Sequence, residues 1–368
     1  MRCSATSLAA AAAALSALLA LGADAQTVRR ETMARTARAA DVYMNAHRAQ
    51  SLSDGSRFVI YRQPVPAEAS ALAAAWITPD GAVTRTAAAD WVAREEIAPG
   101  TLGQIYAAAM STDAKTLAVS IGWRHPENGG TNAVAVLRRS AGNWRLSHLI
   151  RGLSATGDLL LTDSGLLLAL TADRRRAEAN GTTPPLLTVL SLDGRVLLEA
   201  FPTASADPDP THRNRSRLGR SKGAYTLFDT ERGQASLFDL KEAARPRTSE
   251  PKGRNVAVAY ASKPAVELQM LRTIALADLA SPSPGDAIVE DAHVYPDGTV
   301  AVVHSMRPRD HAGVSTLVTL QSPDGTSRSW HPNGVFFKPV FWENGRLVGI
   351  ARGETPESDL IVNSVVFE

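Results

Sequence analysis

The sequence predicts an all-β fold, a β-propeller of four-stranded antiparallel blades. Three observations carry this. A polar turn followed by an apolar alternating strand recurs as "SDGSRFVIY", "TDAKTLAVSI", "TDSGLLLAL", "YPDGTVAVV" and "WENGRLVGI". A second turn follows one strand later, as "WITPDGAVTRT", "RRSAGNWRLSHL", "LSLDGRVLLEAF" and "LQSPDGTSRSW". The two turns keep a fixed distance: Gly55 to Gly81 is 26 residues, Ala114 to Gly142 is 28, Gly165 to Gly194 is 29 and Gly298 to Gly325 is 27.

Each turn has its own chemistry. Pro presets φ, Asp caps the turn through its carboxylate, and Gly accepts positive φ, so two strands fold back on each other. The first turns fall at positions 55, 114, 165, 298 and 345, in steps of 59, 51, 133 and 47 residues. Two hairpin turns in about 50 residues make four short antiparallel strands, which is one propeller blade. Runs such as "LLLAL", "VAVV" and "LVTL" suit strands packed on both faces. The step of 133 holds two degenerate blades or one expanded blade. Seven blades is the preferred count and six the alternative. Within that step, "GAYTLFDTERGQASLFDL" reads as a hairpin around Arg232-Gly233, and "RNVAVAYASKPAVELQMLRTIALAD" as two strands around Ser262-Lys263-Pro264. A β-sandwich also has short, regular strands, but it seldom repeats one turn pair over 300 residues.

The N-terminus reads as an address. Arg2 precedes an apolar run from Leu8 to Leu21, and Ala23-Asp24-Ala25 places small residues where a signal peptidase reads. Residues 1–25 are expected to be a signal peptide cleaved before Gln26, which makes the protein periplasmic or secreted. The run is shorter than the roughly 20 residues a membrane span needs, and no later run reaches that length, so no transmembrane segment is expected. Cys3 is the only cysteine and precedes the apolar run. The mature chain therefore has neither disulfides nor thiolate zinc. Residues 26–48 are expected to close the ring and 49–368 to form the propeller. After Gly345 the chain holds too few strands for a full blade. The N-terminal segment is therefore expected to pair with the strand around Ile361 to Phe367, covering an edge that soluble proteins do not leave bare. The first blade's inner strand is placed near Val42-Tyr43-Met44.

The formal charge of +2 argues against nucleic acid as a partner. The densest charged feature is "THRNRSRLGRSKG", with Arg213, Arg215, Arg217, Arg220 and Lys222. Such a cluster can hold a phosphate or carboxylate. The plainer expectation is a solvated surface loop, since charge runs usually are. A second cluster holds Glu290, Asp291, His293, His304, Asp310 and His311. Glu290, Asp291 and His293 precede the best-formed turn, where inner strands meet the central funnel. They are the candidates for acid–base work. No short metal-binding spacing is present, so neither a metal nor any other cofactor is expected. Trp76, Trp144, Trp330 and Trp342 recur near the turns, as blade-packing residues would.

The units "YPDGTVAVV" and "SDGSRFVIY", followed by "LVTLQSPDG", resemble the WD-repeat-like motif of TolB-type propellers. The resemblance implies the fold. TolB proteins carry an α/β domain ahead of the propeller, whereas only Gln26 to about Gln50 precedes the first turn here, so their envelope role is not carried over. No G-x-S-x-G elbow is present. The expected function is a non-catalytic extracytoplasmic binding or scaffold module, whose partner is an extracytoplasmic protein or an anionic ligand. The alternative is a propeller enzyme, a lactonase or glycan-cleaving hydrolase, with carboxylates or His at the funnel.

Overall fold

The computed structural model describes residues 28–32, 42–43, 46–62, 72–86, 103–125, 129–140, 143–154, 156–171, 181–203, 216–221, 223–230, 232–242, 255–260, 265–275, 287–295, 297–306, 315–330, 338–343, 346–351 and 361–367. The chain begins with β1 (Val28–Thr32). A first sheet follows: β2 (Ala46–Ser51), β3 (Arg57–Arg62), β4 (Leu72–Ile77) and β5 (Val83–Thr86). The second is built on β6 (Gly103–Met110), β7 (Thr116–His125), β8 (Gly129–Ser140) and β9 (Asn143–Arg151). The third uses β10 (Asp158–Leu161), β11 (Leu166–Leu170), β12 (Pro185–Ser191) and β13 (Arg195–Pro202). The fourth starts with β14 (Arg217–Ser221), β15 (Ala224–Asp229) and β16 (Gln234–Glu242). The chain then makes β17 (Asn255–Ala257) and β18 (Ala259–Tyr260) before β19 (Val266–Ala275) completes that sheet beside β16. The fifth holds β20 (Ala287–Val294), β21 (Val300–Met306), β22 (Ser315–Gln321) and β23 (Ser327–Trp330). The sixth holds β24 (Lys338–Glu343), β25 (Arg346–Ala351) and β26 (Ile361–Phe367), with β1 outside β26.

The turns behave as their residues require. In three of the Asp-Gly turns the Asp carboxylate accepts the amide two residues on: Ser56 N donates to Asp54 at 2.9 Å, Thr299 N to Asp297 at 2.9 Å and Thr326 N to Asp324 at 2.9 Å. The glycine takes a left-handed φ, +80° at Gly55 and +89° at Gly298. Ala114 occupies the matching place with φ +58°.

Strand periodicity sorts the core. Along β7, Leu117, Val119 and Ile121 pack toward the first sheet, while Ala118 packs toward the third. Along β11, Leu167 and Ala169 face the second sheet, and Leu166, Leu168 and Leu170 face the fourth. Six apolar clusters separate the six sheets in succession, and Val348 of β25 joins the cluster under β3 and β4. The ring therefore closes from the sixth sheet onto the first. The first strand of each sheet meets its counterparts, β24 touching β2 and β20, and β10 touching β6 and β14. Thus β2, β6, β10, β14, β20 and β24 line the centre. Trp76 and Trp144 pack 6.5 Å apart against the cluster between the first and second sheets, and Trp330 and Trp342 belong to the one between the fifth and sixth, so all four serve packing between sheets.

The expectation of seven blades is corrected: six sheets are present among the described residues. The long step holds one further first turn, at Gly223 with φ +76°. Gly223 lies 58 residues after Gly165 and 75 before Gly298. The extra length lies in the connection from β16 to β19, which adds β17 to the second sheet and β18 to the third. The strands flanking Ser262-Lys263-Pro264 therefore do not pair with each other: β18 pairs with β13, and β19 with β16.

The pairing foreseen between the N-terminal segment and the last strand is present. β1 runs antiparallel to β26, from Val28 opposite Phe367 to Thr32 opposite Asn363. The first sheet's inner strand begins at Ala46 rather than near Val42; Val42 and Tyr43 precede it, buried in the cluster that contains Val348. Residues 1–25 lie outside the described residues.

Candidate functional site

Four of the six innermost strands share a defect, one residue left out of the pairing with the next strand. In β2, Ala46 pairs with Tyr61 and Arg48 with Ile60, which leaves His47 as an extra residue. In β6, Ile105 pairs with Ile121 and Ala107 with Ser120, which leaves Tyr106. In β20, Val289 pairs with His304 and Asp291 with Val303, which leaves Glu290. In β24, Pro339 pairs with Gly349 and Phe341 with Val348, which leaves Val340. His47, Tyr106 and Glu290 each stand four residues before their strand's last paired residue, Ser51, Met110 and Val294. They thus lie at one level, about 13 Å from the turn end at about 3.3 Å per residue. Bulges kink a strand, raise its twist and re-aim a side chain. Tyr106 shows the consequence. Its ring lies on the backbone of Gly122, whose Cβ, were there one, would sit 2.6 Å from the Tyr106 hydroxyl.

The remaining innermost strands are held by charged groups. Asp158 opens β10 with its carboxylate buried. Oδ1 accepts the Leu159 amide at 2.9 Å, and Oδ2 accepts the Leu218 amide of β14 at 2.8 Å. Asp158 thereby joins the third sheet to the fourth. At the turn end, Asp163 Oδ1 accepts Thr112 Oγ1 at 2.8 Å and Arg220 Nη1 at 2.7 Å. Arg220 also donates to the Leu161 carbonyl. The Thr112 hydrogen bond, with the Arg220 charge behind it, holds the Asp163 carboxyl below its usual range. One carboxylate so connects three sheets. At the opposite end, buried Asp229 pairs with Arg232 at 3.4 Å, and Arg232 also donates to the Thr203 carbonyl.

The sequence candidates are redistributed by the fold. Arg217 and Arg220 are not in a solvated loop. Both belong to β14, an innermost strand, and Arg220 is bonded across to the third sheet. The reason is the alternation of Leu218, which is buried between the third and fourth sheets, with polar neighbours. Arg213, Arg215 and Lys222 lie outside the described residues. Glu290 is the bulge residue of β20, and Asp291 follows it. His293, further along β20, stacks on Trp342 of β24 at 6.0 Å and 22°, and meets the edge of Tyr295 at 4.9 Å. Burial lowers its pKa to about 4 and raises that of Tyr295. His293 is therefore a neutral packing residue in the seam between the fifth and sixth sheets. Because β14 touches β20, the two candidate groups, about 70 residues apart in the chain, share neighbouring innermost strands. His304 sits on β21 opposite Val289, and Asp310 and His311 lie outside the described residues.

Sequence reasoning passed over His47 and Tyr106. A signal was there: His47, Tyr106 and Glu290 each fall eight residues before the left-handed residue of their turn, Gly55, Ala114 and Gly298. Among the described residues, no group of three or more His, Cys, Asp or Glu is placed to hold a metal ion. No described helix is long and apolar enough to cross a membrane.

Small antiparallel sheets joined in a ring define a β-propeller. The chain matches no family model and no curated protein. Solved structures resemble it at the level of fold. The β-propeller domain of the trilobed protease from Pyrococcus furiosus is 8% identical with a TM-score of 0.35, over 83% of this chain and 78% of that one. A protein of unknown function from Bacteroides caccae is 8% identical with a TM-score of 0.41, over 76% and 78%. The acylaminoacyl peptidase of Pyrococcus horikoshii is 11% identical with a TM-score of 0.39, over 89% of this chain and 52% of that one.

Proposed function

We propose that the protein is a non-catalytic, extracytoplasmic binding module of TolB-like build, which takes a polar ligand or a partner's polar segment into the centre of the ring. The observation that carries this reading is the common level of His47, Tyr106 and Glu290 on three innermost strands. A bulge kept at one level in several blades places a histidine, a tyrosine and a glutamate at matching backbone positions of three innermost strands, and bulges are where strands re-aim side chains. Asp158, Asp163 and Arg220 are engaged in ties between sheets, so the reading rests on the bulge positions and not on these groups. The extracytoplasmic location rests on residues 1–25, read as a signal peptide.

The test uses the full chain expressed with its own N-terminus in a bacterial host. The expected product is a periplasmic protein whose intact mass starts at Gln26. A panel of sugar phosphates, dicarboxylates and amino acids is then screened by thermal shift against wild type and Glu290→Gln. A compound that raises the wild-type melting temperature, and not the variant's, supports the reading. Turnover of a lactone or aryl glycoside that Glu290→Gln abolishes overturns the non-catalytic assignment, and a retained Cys3 overturns the location.

A further inference from the structure

The connection between β16 and β19 makes the parallel pairings described in otherwise antiparallel sheets. β17 runs parallel to β9, with Asn255 opposite Leu149, Val256 opposite Ile150 and Ala257 opposite Arg151. Without a break in direction the chain reaches β18, parallel to β13, with Ala259 opposite Arg195 and Tyr260 opposite Val196. Val258 spans the junction: its amide donates to the Arg151 carbonyl at 2.8 Å, and the next amide, of Ala259, donates to Gly194 at 3.2 Å. One six-residue strand thus lies along the outer rims of two sheets and binds both.

The rim is shaped for this strand. Gly152 and Gly194 hold left-handed φ values of +93° and +87°, and neither carries a side chain. Val258 lies over the first, its Cβ 3.9 Å from the place a Gly152 Cβ would take, and Val256 lies over the second with its Cγ1 at 3.6 Å, beside Ile150 of β9 at 3.2 Å, so the valines make ordinary packing contacts there. Val258 also packs on the apolar cluster that contains Ile150, Leu153 and Val196. The occupying segment reads Asn-Val-Ala-Val-Ala-Tyr, valines inward and alanines outward. Its hold is slight. The two valines are only half-buried, and Ala257 and Ala259 are exposed. Short parallel pairing is also the weaker kind per residue.

We propose that the joined outer rims of the second and third sheets are a β-addition groove for an extended peptide with β-branched residues at alternate positions, and that residues 255–260 occupy it until such a peptide from a partner displaces them. The chemistry is main-chain pairing to β9 and β13 for affinity and apolar packing of the two inward positions, over Gly152 with the Ile150, Leu153 and Val196 cluster and over Gly194, for side-chain selection. A weakly held strand can leave by local opening while the packed sheets stay folded. The proposal concerns the rim and is independent of the ligand at the centre of the ring.

The test uses a fluorescein-labelled synthetic peptide of the sequence Asn-Val-Ala-Val-Ala-Tyr, with the Val256→Asp/Val258→Asp double variant of the full chain as the opened form. The opened form is expected to bind the peptide at least tenfold more tightly than wild type. A control peptide with both valines replaced by Asp is expected not to bind. An opened form that melts cooperatively yet ignores the peptide, or takes both peptides equally, overturns the proposal. If the opened form does not fold, hydrogen exchange of wild type decides. The Val258 and Ala259 amides should exchange far faster than the β8 amides. Exchange as slow as that of β8 means a permanent strap, which also overturns the proposal.

Discussion

At the scale of single residues, two positions give sharp tests. Gly122 is glycine because the Tyr106 ring rests on its backbone. Gly122→Ala should cost about 1–3 kcal/mol, the usual cost of overpacking. Adding Tyr106→Ala should recover part of that loss, so a urea-unfolding double-mutant cycle should be strongly non-additive. Simple additivity would show that the ring is not what excludes a methyl group. His293 gives the second test. Its folded pKa of about 4 lies below the ordinary value of 6.5. The unfolded chain therefore binds this proton first as pH falls, and stability drops with pH. Its contribution is full above pH 6.5, fades between pH 6.5 and 4, and changes no further below. At 1.36 kcal/mol per pH unit the loss at pH 4 is about 3 kcal/mol. His293→Phe keeps a ring against Trp342 and removes the titration, so its stability should fall less than wild type's between pH 7 and 4.5. Superimposable profiles would refute the assignment.

At the scale of elements, the turns and the closing strand do the most. A polar Asp-Gly turn takes its shape from its own atoms: a carboxylate two residues from the amide it caps, and a glycine that tolerates positive φ. The closing strand β1 works differently. Its residues, Val-Arg-Arg-Glu-Thr, have no strong preference of their own, and only the free edge of β26 makes them a strand. Deleting residues 26–32 should remove a handful of net hydrogen bonds worth about 0.5–1.5 kcal/mol each, and so lower stability by a few kcal/mol. It should also expose the β26 edge and raise the tendency to self-associate. Calorimetry with light scattering checks both. An unchanged melting temperature and a monodisperse truncated protein would show that β26 needs no cover.

At the scale of the molecule, the ring stands on six apolar layers between neighbouring sheets, with polar ties laid across them. A fully buried leucine contributes about 2 kcal/mol, and leucines are densest between the third and fourth sheets. Asp158 ties the third sheet to the fourth, and Asp163 ties the second, third and fourth together through Thr112 and Arg220. The connection that carries residues 255–260 also leaves the fourth sheet after β16, pairs with the second and third, and rejoins the fourth at β19. The seam between the fifth and sixth sheets instead holds the His293–Trp342 stack, and the sixth sheet is completed by a strand from the other end of the chain.

What the sequence determined by itself was local. Turns are set within four residues and the facing of strands within alternate positions, so Asp54-Gly55, Asp297-Gly298 and the leucines of β11 were legible. The two-turn blade and the need for a closing strand at Ile361 to Phe367 were legible for the same reason. The tertiary structure decided everything that depends on a distant partner. The number of sheets turned on whether 75 residues after Gly223 fold as a blade or run across other blades, and no local pattern separates the two. A bulge exists only against the register of the neighbouring strand, so the eight-residue spacing of His47 and Tyr106 from their turns takes its meaning only once β2 is paired with β3 and β6 with β7. Arg220 read as a solvated charge because its partner, Asp163, lies 57 residues away and meets it only when the third and fourth sheets pack side by side.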